Sequence, residues 1–149
     1  MSTAIKFNAS LTDIANLDLG YAPPYAEAID LAIHAANTLE NIRAGLAHGL
    51  SPLAVEKLKT TGSPLCFLDI REPDEVKARP LQEENVLAIP AGELRDRYPE
   101  IPRDKPAIVV CGLGIRSYEA VCFLRWAGLK EAFYLEGGRS EEHTSELQS

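Results

Sequence analysis

One stretch of the chain combines a strand pattern, a cysteine, a glycine loop and a helix start. The apolar run Ala107–Val110 is typical of a buried strand and leads directly into Cys111. Gly112 and Gly114 follow at alternate positions, and a helical pattern covers residues 118–127. A strand, a tight loop and a helix start in this order can direct several backbone N–H groups at one point, which favours an anion there.

The anion expected at this point is the thiolate of Cys111. An unperturbed cysteine has a pKa of about 8.5, so only roughly three per cent of it is ionised at neutral pH. A helix N-terminus and the guanidinium of Arg116 both favour the charged form, and the glycines let the backbone approach the sulfur. The alternative is a structural cysteine at the end of a core strand. Cys66 and Cys122 are expected to be core cysteines, on a strand and on an apolar helix face respectively. The loop favours a reactive thiol at Cys111.

Three ordered motifs resemble those of rhodanese-like domains. The pattern Cys-x-x-Gly-x-Arg-Ser of the family's active loop is met by Cys111, Gly112, Leu113, Gly114, Ile115, Arg116 and Ser117. Residues 67–75 resemble the first signature, a strand that ends in Asp-x-Arg, and residues 135–138 resemble the closing Leu-x-Gly-Gly signature. The resemblance covers residues 50–138. It implies an α/β fold, a rhodanese-like parallel sheet flanked by helices, and sulfurtransferase activity.

The same resemblance assigns roles to the site residues. Cys111 is the expected catalytic nucleophile, and the other six loop residues are expected to bind substrate. Arg116 is either a ligand for an anion such as thiosulfate or a solvated residue of the first helical turn. Ser117 either donates a further hydrogen bond to the sulfur or caps the helix. Asp69 and Arg71 are candidate supporting residues, expected mainly to hold the strand end near the loop.

The N-terminal part of the chain resembles another family. Residues 17–25, LDLGYAPPY, are similar to part of the C-terminal dimerisation region of flavin-dependent pyridine-nucleotide disulfide oxidoreductases, in particular the coenzyme A disulfide reductase branch. The resemblance implies a homodimer through this segment, and FAD, NAD(P)H and coenzyme A in domains upstream, with no cofactor in this chain. Tyr21 and Tyr25 are candidates to approach the thiol site of a partner subunit, or else they pack against the following helix.

We therefore expect three parts: residues 1–49, a fragment of the dimerisation domain; residues 50–138, the rhodanese-like domain; and residues 139–149. The last part, RSEEHTSELQS, resembles the translation of a sequencing-library adapter, and we expect it not to belong to the native protein.

Strands alternate with helices after residue 26, which predicts a parallel sheet. The patterns predict strands at residues 65–70, 86–89, 107–110 and 133–135, and helices at residues 26–46, 73–78, 93–98 and 118–127, with a further short helix that begins at Ser51-Pro52. Ligands of such sheets bind at the carboxyl ends of the strands, where Cys111 falls. Residues 79–85 depart from the Gly-His-Ile-Pro-Gly-Ala segment usual in rhodanese-like domains, so the rim of the cleft is not predicted.

Composition excludes several classes of function. The net charge is −7, and no basic stripe with interleaved aromatic residues favours nucleic-acid binding. No apolar run is long enough to predict a membrane span. Three cysteines without paired spacing, and no Cys-x-x-Cys or His-x-x-x-His, argue against a disulfide scaffold and a metal site and favour the cytoplasm. The expected partners are small sulfur donors and thiol acceptors.

Three functions stay open at this point. The first is sulfur transfer through a persulfide on Cys111, as part of a flavin-dependent disulfide or persulfide reductase. The second is phosphatase chemistry on a related scaffold, although those enzymes use Cys-x5-Arg and the Cys-x4-Arg spacing here suits a sulfur atom better than a tetrahedral phosphate. The third is a truncated dimerisation and docking fragment whose thiol has no catalytic role.

Overall fold

The computed structural model describes residue 4, residues 6–18 and residues 30–139. Backbone contacts divide the chain into two units, Met1–Ala47 and His48–Ser149. Tyr21 and Tyr25 lie outside the described residues, as do residues 140–149, so what the sequence predicts for them stays a prediction.

The described residues of the first unit include two complete helices. Helix α1, Leu11–Ala15, begins at a capping box in which Ser10 and Asp13 satisfy each other's backbone N–H groups. Helix α2, Leu31–Arg43, begins after Asp30, whose carboxylate accepts the N–H of Ala32 at 2.7 Å. The predicted helix of residues 26–46 thus ends three residues early, at Arg43, and residues 26–29 of that prediction lie outside the described residues. It stops before Gly45, whose φ of 69° only glycine adopts readily.

The second unit is a five-stranded parallel sheet flanked by helices. The strands are β1 Gly49–Leu50, β2 Cys66–Asp69, β3 Val86–Ala88, β4 Ala107–Val110 and β5 Ala132–Leu135. Their order in the sheet is β1-β5-β4-β2-β3. The helices are α3 Pro52–Thr60, α4 Pro73–Ala78, α5 Leu94–Arg97 and α6 Ile115–Trp126, and short 3-10 turns at Ala91–Glu93 and Tyr98–Glu100 flank α5. This architecture confirms the predicted fold class. Strand β1 was not predicted, because its two residues are extended only through pairing with the distant β5.

Helices cover both faces of the sheet. Phe67 of β2 packs with Val55 of α3 in one buried cluster. Tyr134 of β5 contacts Tyr118 of α6 edge-to-face, with ring centroids 5.7 Å apart. Across β4, Phe67 is in register with the residue of β5 that comes directly before Tyr134. Because successive residues of a strand point to opposite faces, the side chains of Phe67 and Tyr134 lie on opposite faces of the sheet. The central strand β4 is buried along its whole length, and its carboxyl end delivers Cys111 to the edge where ligands of such sheets bind.

In the described part of the chain, no helix combines the length and the apolar character that crossing a bilayer requires.

The start of α3 confirms the predicted Ser51-Pro52 cap and gives a first testable prediction. Ser51 Oγ accepts the N–H of Ala54 at 3.3 Å, and Pro52 occupies the first helical turn. We expect Ser51→Ala to lower the free energy of unfolding by about 1 kcal/mol, because one N–H of the first turn loses its partner. Urea denaturation measures this difference. Ser51→Asp, which keeps an acceptor, is the control, and equal losses in the two variants would contradict the capping role.

Candidate active site

The loop after β4 turns directly into α6. Gly114 has a φ of 94° and occupies the N-cap position, so the helix begins at Ile115. The predicted start at residue 118 was therefore three residues late, because the glycine turn brings Arg116 and Ser117 into the first helical turn. Ser117 is consequently not the helix cap, and that alternative was wrong.

Two backbone amides converge on the sulfur of Cys111. The N–H of Gly114 lies 3.1 Å from Sγ, and the N–H of Ser117 lies 3.4 Å from it. The Ser117 hydroxyl lies 3.4 Å from Sγ, but it donates to the carbonyl of Gly114 at 2.9 Å and accepts from the thiol. The predicted hydrogen bond from this hydroxyl to the sulfur is therefore wrong, and the backbone N–H of Ser117 donates instead. Hydrogen bonds from amides stabilise a charged sulfur more than a neutral one. The loop therefore has the inward-facing donors that an anion site requires.

The other two cysteines have a different environment. Burial raises the pKa of the Cys66 thiol on β2, and partial burial raises the pKa of the Cys122 thiol on α6. Both groups are thus held as neutral thiols at neutral pH. Cys111 is also buried, with 1% of its surface exposed, but it alone of the three sits at a helix start. Cys66 is buried in the core, as predicted, whereas Cys122 is only half-buried, so the prediction of a core position was wrong for Cys122.

Arg116 is paired with a carboxylate from another element. Its Nη1 and Nη2 donate to Glu75 Oε2 and Oε1 of α4 at 2.9 and 2.8 Å, which makes a bidentate ion pair. The pair lies over Gly112, because a Cβ at this glycine would be 3.5 Å from Arg116 Nη2 and 3.6 Å from Glu75 Oε1. Arg116 hydrogen bonds lower the pKa of Glu75 to about 2. The guanidinium therefore has a charged partner directly beside the loop.

Asp69 and Arg71 form a buried pair at the end of β2, one strand away from Cys111. Arg71 Nε and Nη2 donate to the two carboxylate oxygens of Asp69 at 2.9 and 2.7 Å. Arg71 Nη2 also donates to the carbonyl of Arg79 at 2.9 Å, and these bonds join the strand end to the end of α4. Asp69 raises the pKa of Arg71, mainly through these hydrogen bonds. These contacts anchor the C-terminal end of α4, the helix that carries Glu75, to the end of β2.

The residues after β5 pack directly against the Cys111 loop. A Cβ built on Gly138, which has a φ of 59°, would lie 2.5 Å from Gly114 N and 2.7 Å from Gly112 O. The N–H of Arg139 donates to the carbonyls of Cys111 and Gly112 at 3.0 and 2.9 Å. Arg139, the first residue of the predicted tail, is within the described residues. The segment 137–139 holds the loop from outside.

This close approach predicts a strong effect of Gly138→Ala. The new methyl group would meet backbone atoms of the loop, which cannot rotate away, so we expect a loss of about 2–3 kcal/mol in unfolding free energy and of at least about tenfold in the sulfur transfer that the sequence predicts. Gly62→Ala is the matched control, because Gly62 also has a positive φ, 74°, but no atom lies within 4 Å of its Cβ position. Equal effects of the two substitutions on sulfur transfer would contradict this packing role.

The remaining predicted loop residues line the rim. Leu113 and Ile115 are exposed, by 72% and 67%, and Gly112 lies beneath the ion pair. Sequence reasoning placed Glu75 in the first signature but gave it no role, because nothing local links it to a residue 41 positions away. Among the residues that the structure describes, no cluster of three or more His, Cys, Asp or Glu could hold a metal ion.

Comparison with known proteins identifies the family. A family model of the rhodanese-like domain matches residues 51–142. The chain belongs to the rhodanese-like family. The match lies wholly within the unit that contains the sheet and the Cys111 loop.

Solved structures similar to this rhodanese-like chain include two larger proteins. The NAD-dependent persulfide reductase of A. fulgidus is 41% identical with a TM-score of 0.74, and the chain covers 23% of that protein. The reduced CoADR-RHD of Bacillus anthracis is 34% identical with a TM-score of 0.78, and the chain covers 24% of it. Both matches extend over 92% of this chain. The rhodanese-like chain thus spans about a quarter of each of these proteins.

Among curated relatives, a sulfurtransferase of Allochromatium vinosum is 32% identical over 72 residues, which are 48% of this chain and 65% of the relative. The probable adenylyltransferase/sulfurtransferase MoeZ of Mycobacterium tuberculosis is 25% identical over 60% of this chain and 23% of its own length. The rhodanese-like chain therefore has relatives named for sulfur transfer, and it spans less than two thirds of their length.

Proposed function

We propose that this rhodanese-like domain carries sulfane sulfur as a persulfide on Cys111. The observation that supports the proposal most is the pair of amides, from Gly114 and Ser117, that donate to Sγ at the start of α6. They stabilise negative charge on the attacking sulfur and cost no rearrangement when the charge develops. Because 1% of Cys111 is exposed, the atom it accepts must be a terminal one, such as the outer sulfur of thiosulfate or of a persulfide.

The transfer consists of two displacements. In the first, the Cys111 thiolate attacks the outer sulfur of the donor, the donor's S–S bond breaks, and sulfite or a thiolate leaves with the bonding electron pair. In the second, a thiolate or cyanide attacks the outer sulfur of the Cys111 persulfide, which regenerates the Cys111 thiolate. Charge and atoms balance in both steps, and neither step requires a redox cofactor in this domain.

We propose further that the domain works within a longer flavin-dependent disulfide or persulfide reductase. The likeness to the persulfide reductase of A. fulgidus and to CoADR-RHD supports this, as does the LDLGYAPPY segment. FAD, NAD(P)H and coenzyme A would then belong to the other domains, and the N-terminal unit would join two copies. The nucleotide sequence upstream of the codon for Met1 tests the proposal, which predicts coding sequence for a flavin-binding domain.

Turnover with defined donors tests the sulfur-transfer function. The purified chain is mixed with thiosulfate or a small alkyl persulfide and with cyanide, and thiocyanate is measured. The proposal predicts catalysed thiocyanate formation with at least one donor. It also predicts that 4-nitrophenyl phosphate is not hydrolysed at a comparable rate. Faster hydrolysis of the phosphate ester would favour phosphatase chemistry instead. A folded chain that turns over neither class of substrate would favour the docking fragment.

A further inference from the structure

The ion pair beside the Cys111 loop neutralises the cation that the loop places there. Arg116 uses both terminal nitrogens on Glu75, at 2.9 and 2.8 Å. The side chains are 39% and 40% exposed, so an incoming donor can come close to both of them. With a pKa of about 2, Glu75 is charged throughout the neutral and mildly acidic range. The rim of the site therefore carries a positive and a negative charge of equal size.

The structure also links this pair electrostatically to the reacting sulfur. The hydrogen bonds that Arg116 donates to Glu75 raise the pKa of Arg116 most, and the negative charges of Glu75 and of an ionised Cys111 raise it further, against the effect of burial. The guanidinium and the sulfur of Cys111 are thus close enough for their charges to interact. Any anion drawn to Arg116 also meets the carboxylate of Glu75, because the pair is bidentate and spans Gly112.

Donors of sulfane sulfur differ in charge. Thiosulfate carries two negative charges, and a simple alkyl persulfide anion carries one. The energy of a charge in an electrostatic potential is proportional to that charge, so a negative group at the rim disfavours the dianion twice as strongly. A paired Arg116 is therefore a weaker ligand for thiosulfate than an unpaired one would be.

We propose that Glu75 is a specificity-determining residue that biases the site towards singly charged persulfide donors and against thiosulfate. The inference rests on the sulfur-transfer function proposed above and deepens it. For thiosulfate, the disfavoured step forms the Cys111 persulfide and releases sulfite as a dianion. For the alkyl persulfide, the same step forms the same persulfide and releases a thiolate.

The test is Glu75→Gln, with kcat/KM measured for thiosulfate and for a small alkyl persulfide and cyanide as acceptor. Glutamine keeps an acceptor for the N–H of Glu72, which Glu75 Oε2 accepts at 3.0 Å, so the start of α4 is preserved. Because the pair is partly exposed and water screens it, we expect kcat/KM to rise about tenfold with thiosulfate and about threefold with the persulfide. The thiosulfate-to-persulfide ratio then rises about threefold, and raising the salt to about 1 M shrinks this change.

Two control variants separate charge at the rim from other effects. Glu100→Gln removes the same charge from a carboxylate that makes a bidentate pair with Arg97, at 2.8 and 2.9 Å, instead of with the loop. Glu75→Asp keeps the charge beside Arg116. Both are expected to keep the wild-type donor ratio. Taking a ratio within each variant cancels any general change in the reactivity of Cys111.

The outcomes distinguish this inference from the function on which it rests. A wild-type chain that transfers sulfur from neither donor overturns the sulfur-transfer function itself. A wild-type chain that transfers sulfur, with an unchanged donor ratio in Glu75→Gln or an equal change in Glu100→Gln, overturns only the role of Glu75. A rise confined to Glu75→Gln supports it.

Discussion

The Cys111→Ser variant is expected to lose sulfur transfer by a factor of about a thousand or more, to the rate of the uncatalysed reaction. A serine hydroxyl can occupy the same place beneath the amides of Gly114 and Ser117. It is not ionised at neutral pH, and its oxygen cannot form the persulfide through which the sulfur passes. Thiocyanate formation from the preferred donor measures the loss, and circular dichroism confirms that the variant is folded.

Cys122→Ser is the matched control for this experiment. Cys122 lies on α6 within the same unit, and partial burial raises the pKa of its thiol, so it is not the expected nucleophile. We expect this variant to keep sulfur transfer within a factor of about two of the wild type. Substantial activity in Cys111→Ser, or its loss in Cys122→Ser alone, would contradict the assignment of the nucleophile.

The Asp69→Asn variant is expected to lose about 3–5 kcal/mol of unfolding free energy. Asp69 is fully buried and Arg71 is 4% exposed, so the substitution leaves a buried guanidinium without its counter-charge. The carboxylate also accepts from the backbone N–H of Arg71 at 3.2 Å, and asparagine can keep that bond but not the bidentate pair. Urea denaturation followed by circular dichroism measures the loss.

A double variant shows whether the unpaired charge is the cause. Asp69→Asn combined with Arg71→Met removes the buried cation as well, and we expect it to be more stable than Asp69→Asn alone, because an uncompensated charge is no longer buried. If the two single losses simply add, the side chains do not act as a pair. The same result would remove the argument that they hold α4, and with it Glu75, in place.

Much of the second unit follows from local sequence patterns. The β-branched run of β4, the proline start of α4 at Pro73 and the Ser51 cap of α3 each predict their element from a few neighbouring residues, and the structure places them there. The extended state of β1 depends instead on pairing with β5, more than 80 residues later in the chain. Short segments of this kind have no local signal, because their partner supplies the hydrogen bonds.

The candidate active site likewise has parts that the local sequence predicts and parts that it does not. The cysteine, the glycines and the helix start are contiguous, so the amide donors around Sγ could be anticipated from their order alone. The partner of Arg116 and the contact of Gly138 with Gly114 depend on how separate elements are packed. The start of α6 was missed because a left-handed Gly114 allows helix to begin sooner than the apolar periodicity indicates.

Peptide mass spectrometry of the chain after exposure to a sulfur donor tests the central claim most directly. Two inward-facing amides and a helix start are proposed to hold Cys111 ready to accept one sulfur atom. We predict that the peptide containing Cys111 gains the mass of one sulfur, that cyanide removes it, and that the peptides containing Cys66 and Cys122 are unchanged. A folded chain in which the added sulfur is on Cys66 or Cys122, or on no cysteine at all, would contradict the account.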